Sequence, residues 1–437
     1  MSKQMHLGVF VQATGHHVSG WRVPEAETGS ENLALLQKIA AIAERGKFDL
    51  FFLADGLTSS LTAHPSTMVR FEPTTLLGAI AMSTRHIGLA ATVSTTYSEP
   101  YQVARTFASL DHLSKGRAAW NVVTTSYARS AANFTRSTHP GHDNRYEIAE
   151  EFVDVCKGLW DSWDDDAIVA DKTSGIFALP SKMHQLNHKG QFFTVQGPLN
   201  ASRPPQGHPI IIQAGSSAPG QNLAARTADI VFTAQGDLAE AQAFYASLKG
   251  RLVHFGRDRN DLVVMPGVFP VIGRDKTEVK ENYQKLKELT DLPSALGLLS
   301  ERLGHDVTQF DLDGPLPEDL AISDEIQSRG ELLKALAVRE NMTVRELALH
   351  VGMARGHNVL KGTPSVIADH LQQWFESNAA DGFNIMPAWF PGQFELFVEY
   401  VVPELQKRGL FRKDYEGTTL RDILGLARPQ NSFFPKV

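Results

Sequence analysis

The sequence predicts an α/β fold, a (β/α)8 TIM barrel with a long helical insertion at about residues 290–361. Three observations carry that expectation. Eight short apolar runs, beginning near residues 5, 50, 87, 118, 210, 230, 262 and 383, have the length of strands buried on both faces. Helical patterns with one apolar face separate most of them. Polar or small residues follow the runs directly, where a parallel barrel places its functional loops. An open, doubly wound sheet would show the same alternation, but eight interleaved strands fit a closed barrel better.

Met5 to Val11 is the first strand, and Gly15-His16-His17-Val18-Ser19 is the polar loop at its end. Ser30 is placed to cap a helix whose apolar residues Leu33, Leu36, Ile39, Ala40 and Ala43 keep a three-to-four spacing up to Gly46. Leu50 to Leu53 is a strand ending at Asp55, Thr74 to Met82 a helix, and Ile87 to Val93 a strand. Helix Tyr101 to Leu113 leads to strand Ala118 to Val123, which ends in Thr124-Thr125-Ser126. Asn144 and Glu147 have capping-box spacing, and Ala149, Phe152, Val153, Cys156 and Trp160 trace one helix face after them. Cys156 on that face reads as a buried structural thiol, and Asp164-Asp165-Asp166 as a solvated helix end. His184 and His188 lie four apart without residues to complete a metal set, so no metal is expected.

Pro209 to Gln235 is the most informative stretch. Ile210-Ile211-Ile212 is a buried strand, Gly215-Ser216-Ser217-Ala218-Pro219-Gly220 a small-residue loop, Gln221 to Arg226 a helix, and Ile230-Val231-Phe232 a second strand. Backbone N–H groups and a helix N-terminus at such a loop suit a phosphate. The loop is neither a Walker A sequence nor a dinucleotide fingerprint. Downstream come helix Ala239 to Val253, a strand from Leu262 to Val271 and a charged helix, Thr277 to Leu289. The insertion that follows lacks any clear strand and is a candidate lid. Helix Ser365 to Asn378, strand Phe383 to Met386 and helix Gln393 to Arg408 close the pattern.

The chain has 437 residues, 42% hydrophobic and 21% charged, and residues 1–437 read as a single barrel domain with a tail at 428–437. A net charge of -7 with no dense Lys/Arg block argues against a nucleic-acid partner. One cysteine excludes an intramolecular disulfide, and no apolar run reaches membrane-span length, so a cytoplasmic protein without a membrane partner is expected. The strand ends offer His16, His17, Asp55, Thr92, Asn121, Ser216, Ser217, Gln235 and Asn384. That set holds no carboxylate pair, no serine–histidine–acid pattern and no metal cluster. A cofactor with its own reactivity fits it better than side-chain catalysis.

Four runs carry a family resemblance: Gly46-Lys47-Phe48-Asp49-Leu50-Phe51-Phe52-Leu53-Ala54-Asp55, Gly116-Arg117-Ala118-Ala119-Trp120-Asn121-Val122-Val123-Thr124, His142-Asp143-Asn144-Arg145-Tyr146, and Gln213-Ala214-Gly215-Ser216-Ser217. In these runs, and in order from Met5 to about Leu426, the chain resembles the bacterial-luciferase-like flavin monooxygenases. The branch is that of the nitrilotriacetate, dibenzothiophene-sulfone and long-chain alkane monooxygenases. The resemblance implies a two-component system in which a separate NAD(P)H:flavin reductase supplies FMN as FMNH2. This chain would then use O2, through a flavin C4a-(hydro)peroxide, to oxygenate a small organic substrate, organosulfur or aromatic.

Carried over by motif, Asp55, Thr92 and Asn121 would lie around the isoalloxazine and ribityl chain. His142, Tyr146, Ser216 and Ser217 would meet the ribityl chain and phosphate. His16 or His17 would donate a proton or touch substrate. Phe71, Tyr97, Phe134 and Trp389 are candidates for an apolar pocket, and Arg70, Arg129 and Arg136 for an anionic substrate. A homodimer or homotetramer is expected, with Phe433 and Phe434 buried by a partner subunit. A deazaflavin-dependent hydride-transfer enzyme on the same fold and a non-catalytic flavin-binding protein are the alternatives. FMN binding and oxygen use separate them.

Overall fold

The computed structural model describes residues 3–61, 63–135, 138–317, 319–322 and 327–434. In chain order the strands are β1 (His6–Phe10), β2 (Leu50–Leu53), β3 (Gly88–Ser94) and β4 (Ala118–Val123), then two hairpins, β5 with β6 (Ile168–Asp171, Ile176–Ala178) and β7 with β8 (His188–Lys189, Thr194–Val195). After these come β9 (Ile210–Gln213), β10 (Ile230–Thr233), β11 (Val263–Ile272), β12 (Asn358–Gly362) and β13 (Gly382–Ile385). Parallel pairing runs β1-β2-β3-β4-β9-β10-β11-β13 and back to β1, a closed eight-stranded barrel. All eight strands expected from the apolar runs are in it.

Alternation along each strand divides the burial between two cores. Phe10, Phe52, Ala90, Ala119, Ile212, Phe232 and Met265 fill the barrel interior. Their neighbours Val9, Phe51, Leu89, Ala91 and Trp120 pack outward against the helices. Inside, Phe10 meets Phe52 and Phe232 edge-on at 5.0 and 5.6 Å, opposite the small Ala90 and Ala119. Two residues further along β3 and β4 the same inward parity carries Thr92 and Asn121, paired in register, to the carboxyl end.

Several boundaries differ from the sequence expectation. Asn32, not Ser30, caps helix Leu33–Arg45 by accepting from the Leu35 N–H. Helix His142–Trp160 has Gly141 at its N-cap, so Asn144 lies inside the first turn and is not the cap. Helix Ala218–Thr227 starts three residues ahead of Gln221, because Ser217 caps it and Pro219 is tolerated in a first turn. Of the aspartates after Trp160, Asp165 and Asp166 are exposed as expected and pair with Arg203, Arg428 and Lys182, whereas Asp164 is buried against His184.

Residues 290–361 fold as helices Leu292–Leu303, Gln327–Arg339 and Val344–Ala354 around an apolar core of their own. The one strand in this segment among the described residues, β12, escapes a sequence reading because Asn358-Val359-Leu360-Lys361-Gly362 holds only two apolar residues between polar ones. It pairs with Val268–Ile272, the half of β11 that projects beyond β10. Val18, from the loop after β1, plugs into the insertion's core. The tail lies on its own chain: Asn431 donates to the Asp161 carbonyl at 3.0 Å and Phe433 stacks on His184 at 4.6 Å. Phe434 stays exposed, and Pro435 to Val437 fall outside the described residues.

Candidate active site

The site lies at the carboxyl ends of the strands. A cleft of about 230 Å³ is walled by Asp55, Gly56 and Leu57 after β2, Val122 to Tyr127 at the end of β4, Gln213 to Gly215 after β9, and Tyr146. Below it, Thr92 Oγ1 donates to the Leu53 carbonyl at 2.8 Å, and Asn121 Nδ2 donates to Thr92 Oγ1 at 2.8 Å. That chain of bonds fixes the Asn121 amide and leaves its Oδ1 buried with no partner among the described residues. Gln12 Oε1, Gln213 Nε2 and Asn384 Oδ1, at the ends of three other barrel strands, are buried and unpartnered in the same way. An orphaned buried polar atom is costly, and a ring of them at one end of a barrel is complementary to a polar ligand.

The expected phosphate site has the shape of a cradle. Gly215 and Gly220 approach so closely that a Cβ on either would sit 3.0 Å from the other's Cα and 3.1 Å from the Tyr146 hydroxyl oxygen. Ser217 caps helix Ala218–Thr227, its Oγ accepting the Gly220 N–H at 3.3 Å. Tyr146 reaches the cradle from the first turns of helix His142–Trp160, so two helix N-termini converge there. His142 packs its ring 5.0 Å from Tyr146 but spends Nδ1 on Asp143 at 2.8 Å. Ser216 accepts from the Gln221 amide through its carbonyl.

Asp55 is held by Arg70, with Nε to Oδ1 at 3.0 Å, while a second guanidinium nitrogen donates to the Gly56 carbonyl. Burial nonetheless raises the Asp55 carboxyl above its ordinary value, Arg70 opposing. Arg70 and Phe71 also wall an outer cleft of about 440 Å³ that shares Asp55, Gly56 and Leu57 with the first. Tyr97 stacks on Phe134 at 4.6 Å and bonds His139 Nδ1 at 2.7 Å. Trp389 is buried with its indole N–H unpartnered among the described residues. Arg129 lies over the Tyr127 ring, and Arg136 lies outside the described residues.

His16 and His17 are both buried, with different tasks. His16 Nε2 donates to the Phe10 carbonyl at 2.7 Å and its Nδ1 is unpartnered among the described residues. Burial, then the Arg355 charge, lower its pKa to about 3, so it is a neutral acceptor at neutral pH. Both His17 nitrogens are occupied: Nδ1 accepts from the Ser19 N–H and Nε2 meets Thr290 Oγ1, each at 3.1 Å. Burial lowers its pKa to about 3 as well, and its bonds tie the β1 loop to the insertion. Sequence reasoning missed Gln12 and Tyr127. Gln12 follows the first strand closely enough to be found by strand-end logic, whereas Tyr127 matters only through residues distant in sequence.

A closed parallel barrel with a cradle of close glycines and a set of unpartnered polar atoms at its carboxyl end fits a cofactor-holding enzyme. The chain belongs to the luciferase-like monooxygenase family, whose pattern matches residues 5–381. It is 51% identical over 434 residues to N-acetyl-S-(2-succino)cysteine monooxygenase of Bacillus subtilis (strain 168), covering 99% of this chain and 98% of that protein. With nitrilotriacetate monooxygenase component A of Aminobacter aminovorans it shares 49% over 447 residues, again 99% and 98%. The solved structure of riboflavin lyase with modified FMN and riboflavin superposes with a TM-score of 0.86 at 28% identity, covering 98% of this chain and 97% of that one. The enzyme is thus a monooxygenase of a flavin-using family. The orphaned polar ring and the cradle fit a flavin phosphate ester.

Proposed function

We propose that this chain is the oxygenase component of a two-component system, receiving FMNH2 from a separate NAD(P)H:flavin reductase. Bound reduced flavin supplies the two electrons that activate O2. The observation that carries the assignment is the cradle of Gly215, Ser217, Gly220 and Tyr146, of which Gly215 and Tyr146 wall the same cleft as Asp55. Tyr146, Ser217 and the helix N–H groups hold the phosphate, with Ser216 and His142 at its edge. Asn121 Oδ1, fixed by Thr92, accepts from the ring system. Asp55 and Arg70 line the route between the inner and outer clefts. His16 Nδ1, neutral and unpartnered among the described residues, accepts a hydrogen bond from the reacting groups, and His17 holds the loop that carries it.

The substrate in this reading is a small organosulfur compound. The support is the Bacillus relative, named for an S-substituted cysteine. The Aminobacter relative, named for nitrilotriacetate, supports an anionic compound. Its name as component A supports a separate reductase. The same reading makes the whole chain one barrel domain with 290–361 as its lid, working as a homo-oligomer in the cytoplasm. Among the described residues no helix is long and apolar enough to cross a membrane.

Anaerobic addition of photoreduced FMN, then labelled dioxygen and N-acetyl-S-(2-succino)cysteine, tests the proposal. One labelled oxygen atom in the product is the expected result. Oxidation of the flavin at its protein-free rate, with no label transferred in the presence of either relative's substrate, would overturn it.

A further inference from the structure

The insertion is fastened to the barrel mouth on two sides. On one, His17 bonds Thr290, and the Val18 N–H donates to the Gly352 carbonyl at 3.0 Å. On the other, Tyr127, in the loop after β4, donates its hydroxyl proton to Glu301 Oε1 at 2.6 Å and accepts from Arg302 Nη1 at 3.1 Å. β2 and β3 stand between these anchor points in the barrel wall, so helix Leu292–Leu303 spans the mouth. Tyr127 is also a wall of the inner cleft. One residue therefore meets both the proposed flavin space and the cover, and its hydroxyl is a polar link between them.

We infer that Tyr127 is a positioning residue that latches the insertion over the cleft and couples flavin occupancy to closure. The inference rests on the proposed function for its chemical consequence. With the cover seated, FMNH2 + O2 + substrate gives FMN + oxygenated substrate + water. When water reaches the site, FMNH2 + O2 gives FMN + hydrogen peroxide, with the same two electrons lost from the flavin and no oxygen transferred. Fastening the far side of the cover thus decides how reducing equivalents are divided.

Backbone hydrogen exchange of residues 292–303 is the first readout, on the full chain with and without oxidised FMN, for wild type, Tyr127→Phe, Glu301→Ala and the double variant. The expected result is roughly tenfold faster exchange in each single variant, the scale of one lost hydrogen bond to a charged group. The double variant is expected to add little to either single one, because both remove the same link. In wild type FMN slows exchange in this helix, and Tyr127→Phe abolishes that slowing while the melting temperature stays within a few degrees. The second readout is hydrogen peroxide released per FMNH2 oxidised in the presence of substrate, expected to rise severalfold in both variants. Exchange equal to wild type in both variants, or additive effects in the double variant, would overturn the latch. Failure of FMN to bind wild type would instead overturn the proposed function, leaving the exchange of the flavin-free protein to judge the fastening alone.

Discussion

Gly220→Ala isolates the proposed phosphate cradle. The added methyl would lie 3.0 Å from the Gly215 Cα, 3.1 Å from the Gly215 carbonyl carbon and 3.1 Å from the Tyr146 hydroxyl oxygen. Ordinary contacts there begin several tenths of an ångström further out. Two of the three atoms are backbone, so either the loop after β9 opens or Tyr146 swings away. Such overpacking costs about 1–3 kcal/mol. Alanine's better helix propensity returns up to about 1 kcal/mol, so global stability changes little.

Binding should respond more strongly. A hydrogen bond to a charged group is worth about 1.5–3 kcal/mol, so displacing Tyr146 from a phosphate weakens binding roughly 10–100-fold. Fluorescence titration with FMN and with riboflavin, which has no phosphate, separates the cradle from the ring site. FMN affinity should fall by that factor while riboflavin affinity stays put. Equal losses for both ligands would place the phosphate elsewhere, and no loss for either would refute the cradle.

Acid stability offers another check. His16 and His17 bind a proton near pH 3 folded and near 6.5 unfolded, so the unfolded chain takes up more protons between those values and stability falls as pH drops through that window. At pH 5.5 the pair should cost roughly 2–3 kcal/mol relative to pH 7, read by urea unfolding. A flat profile between pH 7 and 5.5 would show them protonated when folded. Asp49→Asn should destabilise by about 3–5 kcal/mol by leaving Arg412 buried without its carboxylate, which it meets at 2.6 Å. A loss under about 1 kcal/mol would show that water replaces it.

The barrel was legible because its signal is local. Runs such as Ile210-Ile211-Ile212 and Leu50-Phe51-Phe52-Leu53 must be buried on both faces, and eight of them interleaved with helices leave few other ways to bury both sides of each strand. The cradle was legible for a related reason: a small-residue loop between strand and helix offers N–H groups whatever surrounds it. Helix starts were less so, because Ser30 and Asn32, or Gly141 and Asn144, are rival caps a few residues apart. The route of the preceding backbone decides between them.

The sequence by itself determined the eight buried strands and the chemistry available at their ends, Thr92 and Asn121 included, since these follow from apolar runs and residue type. Only the tertiary structure decided which polar atoms are left unpartnered. It also decided that His17 is used up by Ser19 and Thr290 while His16 keeps a lone pair, and that Tyr127 meets a glutamate far along the chain. These are pairings across loops. No local periodicity encodes them, because a hydrogen bond is fixed by where two distant segments come to rest once the apolar cores have closed.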